Sequence, residues 1–174
     1  KNALKILKIK KNLRIIDASK LKMEKVNNIS NFFNSYLIQS PDNVIFKKNN
    51  FKVVSKKKPN SKTFNNLIFS FNVCRYVKSN AIVLTKDNKT IGIGSGQPSR
   101  LDSCDIAINK MKKFHKIKKN DEIIAASDAF FPFVDGLETL VQAGISAVIQ
   151  PSGSIRDKEI IKFADKVGII LVFS

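Results

Sequence analysis

The stretch Ile123-Ile124-Ala125-Ala126-Ser127-Asp128-Ala129-Phe130-Phe131-Pro132-Phe133-Val134-Asp135-Gly136 decides how this sequence folds. Ile123 to Ala126 is a short, continuous apolar run, the pattern of a strand buried on both faces. It breaks into three phenylalanines and a proline, bracketed by Asp128 and Asp135. Turns are usually polar, built from Gly, Asn, Asp and Ser. This one is greasy and rigid, with carboxylates at both ends. Aromatic loops of that kind hold something flat or form an interface. The chain reads as arranged to present this loop beside two others, Lys78-Ser79-Asn80 and Gly94 to Arg100.

Working outward, the pattern is sharp from Thr63 onward. Phe64, Leu67, Ile68, Phe71 and Cys74 share one helical face, with Ser61 as the expected N-cap and an end near Lys78-Ser79-Asn80. Ala81 to Leu84 and Thr90 to Ile93 flank Lys86-Asp87-Asn88-Lys89, which predicts a hairpin. A second helix starts at Ser99, buries Cys104, Ala107, Ile108, Met111 and Phe114, and runs out in Lys112 to Lys119. Beyond the Phe-rich loop come a short helix (Leu137, Leu140, Val141) stopped by Gly144, a strand at Ala147 to Ile149, and a loop at Pro151-Ser152-Gly153. A last helix (Ile160, Ile161, Ala164, Val167) stops at Gly168 before a strand at Ile169 to Phe173. Alternating helices and doubly apolar strands predict an α/β fold, a mixed or largely parallel sheet with helices on both sides. Ligands in such sheets sit beyond the carboxyl ends of the strands. Gly94 to Arg100, Ser127 to Asp135 and Pro151 to Asp157 all join a strand to a helix and gather on one edge if those strands run parallel.

Upstream, the first 60 or so residues are weakly patterned. Lys1 to Lys11 is a lysine-rich helix end; Leu13 to Ile16, Ser35 to Gln39 and Phe51 to Val54 are strand candidates, the last two separated by a turn at Pro41. Residues 1–62 form a lysine-rich annex and 63–174 the main domain.

The chain has 174 residues, enough for one domain with a real core. No apolar run approaches the roughly 20 residues of a membrane helix, and the lysine-broken N-terminus lacks the apolar region of a secretory signal. Cys74 and Cys104 are too few for a disulfide framework and lack partners at metal spacing, His115 being the sole histidine. A reducing cytoplasm is the expected compartment. Net charge is +17, and residues 1–70 hold 16 basic and 3 acidic side chains. Two explanations stay open: an anion-binding surface, or a mutational bias toward the residues of AT-rich codons, since 27 of the 31 basic residues are lysine.

Several candidate site residues have a plainer structural reading beside the functional one. Ser99 to Asp102, Asp135 to Glu138 and Ser154 to Asp157 each fit a capping box. Capping does not explain Arg100 at a first helical position, where a cation opposes the helix dipole. Only four arginines occur, so Arg100 and Arg156 suggest a need for the planar fork, with a salt bridge to a neighbour as the alternative. Gly92, Gly94 and Gly96 lack the Gly-Lys-Ser/Thr of a P-loop. They serve either a tight turn of positive φ or the close approach of a ligand. The Phe130 loop reads equally as a dimer contact, Asp128 as a structural carboxylate and Asn80 as a helix C-cap. His115, among lysines, reads as a solvated surface residue.

Four segments in order carry a resemblance. They are Lys78-Ser79-Asn80-Ala81-Ile82, Gly92-Ile93-Gly94-Ser95-Gly96-Gln97-Pro98-Ser99-Arg100, Ser127-Asp128-Ala129-Phe130-Phe131-Pro132-Phe133 and Gln150-Pro151-Ser152-Gly153-Ser154-Ile155-Arg156-Asp157. Together they resemble the C-terminal half of the transformylase domain of the bifunctional purine-biosynthesis family, in which 5-aminoimidazole-4-carboxamide ribonucleotide (AICAR) formyltransferase is joined to IMP cyclohydrolase. The resemblance is specific from about Thr63 to Phe173 and looser upstream, at Lys11-Asn12-Leu13-Arg14 and Leu37-Ile38-Gln39.

The resemblance implies formyl transfer from 10-formyltetrahydrofolate to the amine of AICAR. It implies a three-layer α/β/α sandwich of cytidine-deaminase-like type, this chain holding the second of two such units, and a homodimer or a complementing N-terminal half. The chain is no deaminase, because the zinc ligands and the Pro-Cys-x-x-Cys run are missing. By motif, Asn80 and Arg100 match residues at the reacting amine and carboxamide, Asn80 orienting rather than acting as base, and Phe130 lines the same pocket. Leu101, Pro132, Phe133 and Asp135 match the folate side, Asp135 accepting from the pterin amino group. Ser79 and Asp128 match ligands of a structural monovalent cation, potassium. The family's catalytic lysine–histidine pair, its arginine for the substrate phosphate and the cyclohydrolase domain have no counterpart here. The expectation is a fragment, split subunit or reduced gene product, inactive by itself. The rival expectations are a nucleotide- or nucleic-acid-binding remnant and a purely structural subunit; the main reading expects neither a membrane nor a nucleic-acid partner.

Overall fold

The computed structural model describes residues 2–20, 27–41, 44, 46–118 and 120–174. The chain divides into two compact units, residues 1–44 and 45–174. In the first, a short helix α1 (Asn2–Leu7) precedes an antiparallel hairpin of β1 (Asn28–Phe32) and β2 (Ser35–Gln39), in register from Asn28↔Gln39 to Phe32↔Ser35. Leu13 to Ile16, expected as a strand, is irregular. Asp42 and Asn43 of the expected turn after Pro41 lie outside the described residues.

The second unit is built on one mixed sheet of six strands, in the order β3-β8-β7-β6-β4-β5. In chain order its elements are β3 (Lys52–Val53), α2 (Ser61–Cys74), β4 (Ile82–Lys86), β5 (Lys89–Gly94), α3 (Arg100–Phe114), β6 (Ile123–Ser127), α4 (Val134–Gln142), β7 (Ile145–Gln150), α5 (Asp157–Val167) and β8 (Ile170–Phe173). Successive residues of a strand face opposite sides of the sheet. Accordingly Ile82, Leu84, Ile123, Ala125 and Leu171 pack with α3, α4 and α5 through Ala107, Met111, Leu137, Leu140, Ile160 and Ala164. Their neighbours Val83, Ile124, Ala126 and Val172 pack with α2 through Leu67, Phe71 and Cys74. Helices cover both faces, so the expected α/β sandwich with a mixed sheet forms.

Some expected boundaries move. The N-cap of α2 is Asn60, not Ser61: the Asn60 carboxamide accepts from Thr63 N at 2.8 Å. The helix ends at Cys74 rather than near Asn80. Helix α3 stops at Phe114, whose ring is 68% exposed and outside the core, so the lysine-rich tail to Lys119 is not helical where it is described. The β4–β5 hairpin turns as predicted, with Asp87 and Asn88 both at positive φ (50° and 54°), the geometry whose twist matches paired strands.

Strand direction positions the site. β4 runs antiparallel to both β5 and β6, and β6, β7 and β8 are parallel. The carboxyl ends of β5, β6 and β7 therefore share one edge with the amino end of β4. The loops at 78–80, 94–100, 127–135 and 151–157 all meet there.

The glycines of β5 act in a way neither sequence reading contained. A Cβ on Gly92 would sit 2.2 Å from the Ala107 carbonyl oxygen, and one on Gly94 would sit 1.9 Å from that of Ser103. Both are the price of laying helix α3 directly on the strand. Gly96 alone fits the tight-turn reading, at φ +68°. Gly94→Ala is expected to lower unfolding free energy by about 1–3 kcal/mol or more through overpacking, read from urea denaturation. Stability equal to the parent would mean that α3 is not held against β5.

Candidate functional site

Arg100, the first residue of α3, reaches across the shared edge into the loop after β6. Its Nη1 donates to Asp128 Oδ1 at 2.5 Å and to Ser127 Oγ at 2.8 Å, and its Nη2 donates to Asn80 Oδ1 at 2.9 Å. The Arg100 and Asp128 side chains are only 11% and 15% exposed. The cation that should oppose the helix dipole is thus neutralised by a carboxylate. The salt bridge to a neighbour, one of the two readings of Arg100, is present, and the planar fork makes two further bonds beside it.

Asn80 is held from every side. Its Nδ2 donates to the carbonyls of Gln97 (2.9 Å) and Pro98 (3.0 Å), and its backbone carbonyl accepts from Ser103 Oγ at 2.8 Å. The Ser79–Asn80 peptide is cis. Two acceptors on one side and a guanidinium on the other determine which way the carboxamide points. Both amide hydrogens are spent, and Oδ1 keeps one lone pair. Three of the five guanidinium hydrogens of Arg100 are spent as well, leaving Nε–H and one on Nη2. Asn80 lies beyond the end of α2, so it is not a C-cap.

Asp128 ties the same corner to β4. Its Oδ1 accepts from Ala81 N at 2.9 Å, while its own amide donates to the Ala81 carbonyl at 3.3 Å. Burial would by itself raise the carboxyl's pKa. Hydrogen bonds from the Ser79 hydroxyl, the Arg100 guanidinium and the Ala81 amide outweigh it, and the group sits below the usual carboxylate value.

Beside this network opens a cleft of about 590 Å³. Asn80, Arg100 and Leu101 line one wall; Phe130, Pro132, Phe133 and Asp135 line the other. Of the three phenylalanines, Phe131 turns inward (1% exposed), packing where a side chain on Gly136 would meet its ring at 2.7 Å. Phe130 and Phe133 are left 38% and 51% exposed at the cleft. The Arg156 guanidinium lies 4.7 Å from the Phe133 ring centre and also faces Glu159 at 3.6 Å.

Of the expected capping boxes, Ser99 caps α3 by accepting from Leu101 N at 3.1 Å. Asp135 is not an N-cap, because α4 begins one residue earlier, at Val134; its carboxylate accepts from Gly136 N at 2.7 Å. Ser154 caps only locally, its hydroxyl accepting from Arg156 N at 3.1 Å, while Arg156 occupies the cap position of α5. His115 is exposed at the end of α3, away from the cleft. Burial pushes the thiols of Cys74 and Cys104 up to about 12, so neither is a ready nucleophile. Sequence reasoning missed Ser127, Ser103 and Gln150, the last accepting from Phe131 N at 3.4 Å. Single polar residues at a strand end (Ser127, Gln150) or on a helix face (Ser103) carry no periodic signal that would mark them.

A family model described as AICARFT/IMPCHase bienzyme matches residues 1–110. The chain is 41% identical over 172 residues to the bifunctional purine biosynthesis protein PurH of Aquifex aeolicus, covering 99% of this chain and 33% of that one. It is 41% identical over 181 residues to PurH of Bradyrhizobium diazoefficiens (99% and 34%) and 40% identical over 174 residues to PurH of Leptospira biflexa (99% and 33%). The chain spans about one third of the length of these relatives.

The lowered pKa of Asp128 sets a pH dependence. An unfolded aspartate titrates near about 3.9, and the folded group titrates lower. Its stabilisation is fully present above about pH 4 and is lost as pH falls through the folded value. Asp128→Asn leaves Arg100 without its charge partner and is expected to cost on the order of 3 kcal/mol at pH 7. The gap between parent and variant should shrink toward pH 3. Urea unfolding at both pH values measures it; a gap independent of pH would remove Asp128 from the ion pair.

Proposed function

The chain belongs to the AICARFT/IMPCHase bienzyme family, and on that premise we propose that it supplies one part of the formyl-transfer site, moving a formyl group from 10-formyltetrahydrofolate to the amine of AICAR in purine (IMP) biosynthesis. The relatives it matches are bifunctional purine biosynthesis proteins. The observation that carries the reading is the hydrogen-bond inventory of Asn80. With both amide hydrogens spent, it offers the cleft an acceptor alone, which suits an N–H of an attacking amine and repels a carbonyl. Arg100 offers the opposite polarity beside it, its Nη2 2.9 Å from Asn80 Oδ1, which suits the carboxamide oxygen of the same substrate.

On this reading Asn80 Oδ1 accepts one amine hydrogen and turns the nitrogen lone pair toward the formyl carbon. The new C–N bond forms as the carbonyl becomes an oxyanion; that intermediate collapses by breaking the bond to the folate nitrogen, which takes up the proton the amine loses. Orientation of this kind supplies much of the rate. Asn80 has no capacity as a base, so the proton is moved by a lysine–histidine pair contributed by a complementing N-terminal half or a partner protomer. Phe130 flanks the substrate ring. Leu101, Pro132 and Phe133 form the apolar shelf for the pterin, and Asp135 accepts from its amino group.

The cytidine-deaminase-like character of the sandwich, and the role of residues 63–174 as the second of two such units, belong to the same proposal. So does potassium. Ser79 and Asp128 are oxygen donors of the right kind, but the carboxylate already accepts from Arg100, Ala81 and the Ser79 hydroxyl, so a cation would have only the remaining lone pairs of the carboxylate and the hydroxyl oxygen. No step depends on it.

Arg100→Lys is expected to weaken AICAR binding by about tenfold, because an ammonium cannot serve Asp128, Asn80 and a ligand in one plane. Calorimetric titration in the enzyme reconstituted with the lysine–histidine half measures this, and unchanged affinity would make Arg100 structural only. The purified 174-residue chain alone is expected to show no formyl transfer, lacking a positioned base worth about 10²–10⁴-fold. Turnover by the chain alone that His115→Ala abolishes would overturn the proposed division of labour.

A further inference from the structure

Helix α5 carries a row of cations that the cleft does not use. Lys158, Lys162 and Lys166 recur every fourth residue, so they stack on one side of the helix, opposite the buried Ile160 and Ala164. With Lys56 they line a concave surface of about 460 Å³ between α5 and the loop after β3. The loop is fastened there by Lys56 N, which donates to Asp165 Oδ1 at 2.6 Å. Two carboxylates lie nearby: Asp165, one anion within the lining against four lysines, accepts from that amide, and Glu159 faces Arg156 at 3.6 Å. Among the described residues, no carboxylate is ion-paired with Lys56, Lys158, Lys162 or Lys166.

Lys158, in the first turn of α5, follows the 151–157 loop at the site edge, and from there the row runs away from the cleft. β3 runs antiparallel to β8, so the loop bearing Lys56 leaves the sheet at the edge opposite the site loops. Lys166, in the last turn before β8, stands at that same edge.

We propose that this face binds the phosphate backbone of a nucleic-acid duplex, a function separate from formyl transfer. The chemistry of the lining selects this partner. A protein partner needs a desolvated anchor of aromatic or large apolar side chains, and a membrane needs apolar groups to insert; the lining offers only the half-buried Ile161. Single-stranded nucleic acid is held by stacking on aromatic rings, and none lines this surface. Lysines without arginine are point charges suited to backbone phosphates rather than to base edges, so the binding is independent of sequence and depends on salt.

Fluorescence anisotropy of a labelled 20-base-pair DNA duplex with the purified chain tests it, as a function of salt. The triple variant Lys158→Gln/Lys162→Gln/Lys166→Gln is compared with Lys112→Gln/Lys113→Gln/Lys116→Gln, which removes equal charge from the exposed end of α3. Circular dichroism checks that both variants fold. The α5 variant should lose at least about tenfold in affinity at 50 mM salt, with a salt slope smaller by about 2–3, while the α3 variant stays within about threefold of the parent. Equal losses in the two variants, no duplex binding by the parent, or competition by polyglutamate as effective as by unlabelled duplex would each overturn the proposal.

Discussion

The ion pair of Arg100 with Asp128 fastens together three segments that strand pairing and helix packing bring to one corner. Arg100 opens helix α3, Asp128 follows strand β6, and Asn80 precedes strand β4; one guanidinium bonds two of these directly and reaches Ser127 as well. In a corner this shielded, either charge without the other would carry a large desolvation cost. Together, with Ala81 N and the Ser79 hydroxyl completing the carboxylate, they form a rigid floor. The same bonds leave an acceptor on Asn80 and donors on Arg100 at the cleft. A lysine in place of Arg100 keeps the charge and loses the fork that makes three bonds at once.

That corner depends on how closely α3 lies against the sheet. Gly92 and Gly94 let the helix backbone touch the strand where any side chain would intrude, which brings Ser103 within 2.8 Å of the Asn80 carbonyl. On the far wall, Gly136 admits the ring of Phe131, whose burial turns Phe130 and Phe133 outward. Both walls of the cleft thus rest on contacts in which a glycine makes room for a neighbour. The α5 lysine face depends on none of these contacts, and so it is open to a role of its own.

The first unit follows a different logic. Its hairpin has Ile29, Phe32, Tyr36, Leu37 and Ile38 each more than 60% exposed. Two-stranded hairpins are marginal in water by themselves. Its strands were legible in part: Ser35 to Gln39 carries the apolar run Tyr36-Leu37-Ile38, while β1 contains two asparagines and a serine that mask the pattern.

By itself the sequence determined the sandwich from Thr63 onward, because strands apolar on both faces can only be buried between helices. It also determined the hairpin turn at Asp87-Asn88 and the stop at Gly168, where the backbone is left-handed (φ 72°). Ordered motifs brought Asn80, Arg100 and the Phe130 loop to notice and placed them with a family. Helix ends were less legible: Asn60, Phe133 and Arg156 hold the cap positions expected of Ser61, Asp135 and Ser154, and of these only Asn60 caps with its side chain. Only the tertiary structure decided that Arg100 spends its fork on Asp128, Ser127 and Asn80, that two glycines serve packing between helix and strand, and that Phe131 faces the core while its neighbours face the cleft. Each of these is a contact between segments distant along the chain, and no local pattern of residues encodes which partner lies across the gap.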